Sequence, residues 1–90
     1  HRETLQRCLR REVTLWSAKS FDGLVGELAD VVAYTCDEPG SCQVEVQILE
    51  SSAERVHVLV SVDDGGWRAF APLSTGFLIY RDGRVEAPSL

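Results

Sequence analysis

The sequence predicts an α+β domain, with two N-terminal helices packed on one face of a four- or five-stranded antiparallel meander sheet. Three patterns carry that expectation. Apolar residues recur at three- and four-residue steps through the first third of the chain and mostly at two-residue steps afterwards, the periods of a helix and of a strand. Asp-Gly pairs at Asp64-Gly65 and Asp82-Gly83 punctuate the alternating part, where tight hairpins join neighbouring strands. A chain of 90 residues closes only one hydrophobic core, so 1–90 is read as a single domain.

Leu5, Cys8, Leu9, Val13 and Trp16 share one side of a helix running from about residue 3 to 18. Arg7, Arg10 and Arg11 fall on the other side, and Glu3 precedes Arg7 by the four residues that favour a helical ion pair. Glu12 interrupts the apolar stripe. It is expected at the stripe's exposed end, against an arginine, or placed there for a purpose. Ser20 then caps a second helix whose apolar positions Phe21, Leu24, Val25, Leu28, Val31 and Val32 keep the helical period. Gly23 and Gly26 weaken it and suggest close approach to helix 1 or the sheet.

Residues 36–42 read as a turn, with Pro39-Gly40 suited to the centre of type II. The flanking Cys36 and Cys42 could lie within bonding range. As zinc ligands they lack support, because a structural site wants four ligands and the spacing to His57 or His1 fits no standard pattern. Neither a metal nor a cofactor is expected.

Val44, Val46 and Ile48 alternate with polar residues as a half-buried strand. Pairing it with the valine run Val56, Val58, Val60 and Val62 puts Ile48 beside Val58 or Val56, which calls for an odd-numbered loop, 51–55. A two-residue turn at Asp64-Gly65 or a four-residue loop over 63–66 would alike place Val62 opposite Trp67, Val60 opposite Ala69 and Val58 opposite Ala71. Leu59 and Phe70 then become cross-strand neighbours on the face away from the helices. Pro72 stops that strand or places it at an edge. Phe77 to Tyr80 leads through a type I′ turn at Asp82-Gly83 to Val85, and residues 87–90 read as a frayed tail.

Net charge is −5, unevenly spread. Residues 1–19 carry five basic against two acidic groups, and residues 20–90 carry four against twelve. An acidic body repels phosphate backbones, so nucleic acid is not an expected partner. No apolar run approaches the roughly 20 residues that span a bilayer, so no membrane role is expected either. The chain opens at His1 and contains no methionine, which reads as a domain excised from a longer protein. Three cysteines, an odd and small number, favour reducing, cytoplasmic surroundings.

Catalytic signals are weak. A Cys36 or Cys42 thiol could pair with His57 as a nucleophile, but His57 alternates out of the core. Asp63 and Asp64 precede two glycines and read as turn chemistry, and Ser74-Thr75-Gly76 lacks the lysine of a phosphate loop. The expectation is a non-catalytic protein-interaction or regulatory domain using the open sheet face around Leu59 and Phe70, with His57 and Arg68 beside them. Arg7, Arg10 and Arg11 form a second candidate surface. Its partner would be another protein, another domain of the parent chain, or a second copy in a homodimer. The alternative is a small-ligand-binding domain with a pocket between helix 2 and the sheet, near Trp67.

Overall fold

The valine run is the middle of the sheet. In a computed structural model, which describes residues 2–36, 42–65 and 72–87, Val56, Val58, Val60 and Val62 are fully buried. They lie on β3 (Arg55–Asp63), flanked by β2 (Cys42–Ser51) and β4 (Leu73–Tyr80). Outside these run β1 (Val32–Cys36) and the short β5 (Val85–Glu86), giving a five-stranded antiparallel sheet in the order β1-β2-β3-β4-β5. Helices α1 (Arg2–Ser17) and α2 (Phe21–Glu27) cover one face. The fold is the α+β meander that the sequence predicts.

The stripe of α1 packs as its spacing requires: Leu5, Cys8, Leu9, Val13 and Trp16 are buried, and the helix rests mainly on β3 and β4. Ser20 caps α2, its Oγ accepting from the Gly23 N–H at 3.0 Å. The cap also explains Gly23, since a Cβ there would fall 2.9 Å from Ser20 Oγ, whereas Gly26 faces open space. Helix 2 stops sooner than its period suggests. Leu28 leaves helical geometry, Val31 is exposed, and Val32 opens β1. Val31, Val32, Tyr34 and Thr35 are β-branched or aromatic and lose least in a strand, a preference that decides the ambiguity of the short apolar run.

The central register differs from expectation. Leu59 lies between Gln47 of β2 and Gly76 of β4, so these two strands occupy both edges of β3. The Val62–Trp67, Val60–Ala69 and Val58–Ala71 pairs are replaced by Val62–Leu73, Val60–Thr75 and Val58–Phe77. Burial accounts for the choice, because β4 brings Phe77 and Ile79 into the core where the expected strand would bring two alanines. Residues 66–71, which include Trp67, Arg68 and Phe70, lie outside the described residues, as do the expected Pro39-Gly40 turn and the last three residues.

Ile48 does pair with Val58, as burial demands. The odd residue is supplied differently: Leu49 bulges out, Glu50 pairs with His57 and Ser51 with Val56, so the loop shortens to 52–54. The last hairpin also turns by another route. Gly83 alone takes a positive φ (96°), with Gly83 N–H donating to Tyr80 O and Tyr80 N–H to Arg84 O, a three-residue loop with a glycine bulge in place of type I′. Arg81 then ties the layers, donating from Nε to Ala53 O at 2.6 Å and lying 4.6 Å from the Phe21 ring centre.

Candidate functional site

Alternation along the strands sorts the sheet into two unlike faces. Below the helices is the apolar core. The opposite face carries cross-strand rows, Glu45–Ser61–Ser74, Gln47–Leu59–Gly76 and Glu50–His57–Leu78–Glu86. Leu59 and Leu78 are diagonal neighbours there, both half-buried. His57 folds over Gly76, where a Cβ would fall 2.6 Å from Nε2, so this glycine keeps the imidazole flat on the sheet. Tyr80 extends the apolar band, its hydroxyl donating to Glu86 Oε1 and its ring lying 4.2 Å beneath the Arg84 guanidinium.

Acidic groups surround the band. Glu45, Glu50, Asp63 and Glu86 all belong to this face, against Arg55 and the Arg84 guanidinium over the Tyr80 ring. A cleft of about 260 Å³ lies at its β1 side, among residues 33–35 and 43–45 and Asp63, and another of about 160 Å³ involves Glu50, Arg55 and His57. Strand and loop residues line both, and α2 contributes to neither. Asp63 does the turn chemistry its context predicts, accepting from Gly65 N–H at 2.7 Å.

The arginine surface of α1 is divided. Arg7 and Arg10 are exposed, but Arg11 bends its guanidinium inward, donating from Nη2 to Cys36 Sγ at 2.5 Å. Its Nε is 3.6 Å from Oε2 of Glu12, whose side chain is 1% exposed. Of the three expectations for Glu12, it therefore meets an arginine: the carboxylate is buried, and the Arg11 side chain, itself exposed, reaches it from the surface.

Around Glu12 the chain builds a buried polar knot. Tyr34 donates its hydroxyl proton to Glu12 Oε1, and the indole N–H of Trp16 donates to the Tyr34 oxygen at 2.8 Å. Cys36 Sγ lies 4.0 Å from Glu12 Oε2. Burial, followed by the hydrogen bond to Glu12, pushes the Tyr34 hydroxyl up to about 12, against the smaller opposing effect of the Trp16 donor. Beside the knot, Cys8 is bonded to Cys42, and the sulfurs of Cys8, Cys36 and Cys42 all lie within 4.8 Å of one another. Cys36 and Cys42 are direct cross-strand partners, yet the bond joins the helix to the sheet.

The core thus holds the cysteines while His57 lies on the other face, and the sheet between them excludes a Cys–His nucleophile pair. Sequence reading missed the knot because its members share no short motif. The available signal was the four-residue step from Cys8 to Glu12, which puts both on one line of α1, and it becomes legible only once β1 is recognised as a strand. No protein-family model, curated protein or solved structure matches the chain. Among the described residues, no helix is long and apolar enough to cross a membrane.

Proposed function

We propose that this is a non-catalytic protein-interaction or regulatory domain, working in the cytoplasm, that docks a partner on its open sheet face. The observation that carries the reading is the acid-rimmed apolar band: Leu59, Leu78 and Tyr80 stand on the face away from the helices, ringed by Glu45, Glu50, Asp63 and Glu86. Apolar side chains gathered on a sheet face favour cover, and the acidic rim selects what covers them. The partner is a protein surface, on another chain or another domain of the parent chain, that presents an apolar anchor flanked by lysine or arginine. The odd cysteine count favours the cytoplasmic placement, and the Cys8–Cys42 bond counts against it.

Affinity capture at low salt with the wild type, Leu59→Lys and the double variant Arg7→Glu/Arg10→Glu tests this, each first checked for native circular dichroism. The expected partner is retained by the wild type and by the arginine variant, lost by Leu59→Lys, and released by salt. Retention by Leu59→Lys together with loss by the arginine variant would move the site to α1. Capture of nothing by any form would remove the interaction reading.

A further inference from the structure

We propose that Cys8, Cys36, Cys42 and Glu12 hold one zinc ion when the Cys8–Cys42 bond is open. Three sulfurs from α1, β1 and β2 converge within 4.8 Å, all buried. Ligand sulfurs around a tetrahedral zinc, with Zn–S of about 2.3 Å, stand roughly 3.8 Å apart, so small side-chain rotations bring the three onto one ion. The Cα atoms of Cys8 and Cys42 are 7.4 Å apart. That is wider than the roughly 4.4–6.8 Å usual for a bonded pair and suits two ligands of a shared ion.

Glu12 is the fourth donor of the proposed site: it stands outside the group of three sulfurs that lie within 4.8 Å of one another, so its carboxylate must turn toward them. Its Oε2 is 4.0 Å from Cys36 Sγ, close to the sulfur–oxygen spacing of about 3.5 Å in a tetrahedral zinc site. The rest of the knot has the form of an outer shell. Tyr34 fixes the other carboxylate oxygen, Trp16 fixes Tyr34, and Arg11 donates to the Cys36 sulfur. Three thiolates and a carboxylate around a dication leave two negative charges, and the Arg11 guanidinium offsets one of them. The donor set selects zinc: calcium and magnesium want oxygen throughout, and Cu(I) wants soft donors throughout.

Opening the bond takes two electrons and two protons from an external reductant, a thiol in the cell or a phosphine in the test tube. Three thiols closing on Zn²⁺ then release three protons. The ion and the bond are alternatives, each tying α1 to the sheet.

The test is to reduce the protein with a phosphine, add zinc alone, and read stoichiometry by native mass spectrometry, with Co²⁺ absorption as the probe of geometry. The wild type is expected to take one zinc per chain and to give the intense visible bands of tetrahedral cobalt with sulfur charge transfer. Cys36→Ser and Glu12→Gln are each expected to lose at least tenfold in affinity. Because Cys36 is outside the disulfide, oxidised Cys36→Ser is the folding control: native circular dichroism there with lost zinc binding after reduction supports the site. A reduced wild type that unfolds and is refolded by zinc supports it equally. Reduced wild type that takes no zinc, folded or not, overturns it, as does Cys36→Ser binding zinc as tightly as the wild type.

Discussion

Glu12 occupies a core position where an apolar residue would serve packing better, and its carboxylate is held there by Tyr34 and Cys36 of β1 and by Arg11 of its own helix. A buried polar atom costs most when its partner is removed. Glu12→Ala is expected to lose about 1–3 kcal/mol through the orphaned Tyr34 hydroxyl, and Tyr34→Phe a comparable amount through the orphaned carboxylate oxygen. The double variant should lose less than the two single losses together, a coupling of about 0.5–3 kcal/mol in urea denaturation. Additive losses would mean that the two side chains act independently. Tyr34 also sets an alkaline limit. Its folded value of about 12 lies above the ordinary tyrosine value near 10, so the neutral hydroxyl stabilises the fold fully below about pH 10. That contribution is lost as pH rises toward about 12. Ultraviolet titration should show a high-pH tyrosinate step that Tyr34→Phe lacks, and stability should fall across the same window in the wild type only.

At the scale of elements, the alternation of valines made β2 and β3 legible, because a period of two with one buried face admits few registers. Burial parity even demanded an odd residue between them. What the pattern could not supply was the form that residue takes. The chain puts it at Leu49, half exposed in a bulge, where the sequence reading puts it in the loop. Deleting Leu49 is accordingly expected to leave a regular ladder with every side chain on its present face, changing stability by no more than ~1 kcal/mol. Deleting Gln47, two positions earlier, turns Val44 and Val46 toward solvent and should cost roughly 3–6 kcal/mol in lost burial. Equal effects of the two deletions on thermal melting would contradict the register. The shortened α2 and the missed β1 have a related cause. Val31 and Val32 satisfy both periods at once, and the deciding contacts come from β2, distant in sequence.

For the whole molecule, the packing of both helices on one face of the sheet followed from the sequence, and so did the contrast between basic α1 and the acidic remainder. The composition of the opposite face did not, because it depends on which strand borders β3: a β4 beginning at Leu73 brings Gly76 and Leu78 beside Leu59 and His57. The polar knot was illegible for a similar reason, since its residues become neighbours only after α1 lies across β1 and β2. The strand order has a consequence in time. Every strand pairs with its neighbours in sequence, so the sheet can grow by short loop closures as the polypeptide is made, with little entropy to overcome at each step. Helix α1 is the exception, because its main strand contacts are with β3 and β4. During synthesis Leu5, Leu9 and Val13 therefore stand uncovered until β4 leaves the ribosome, an interval in which exposed apolar surface favours aggregation.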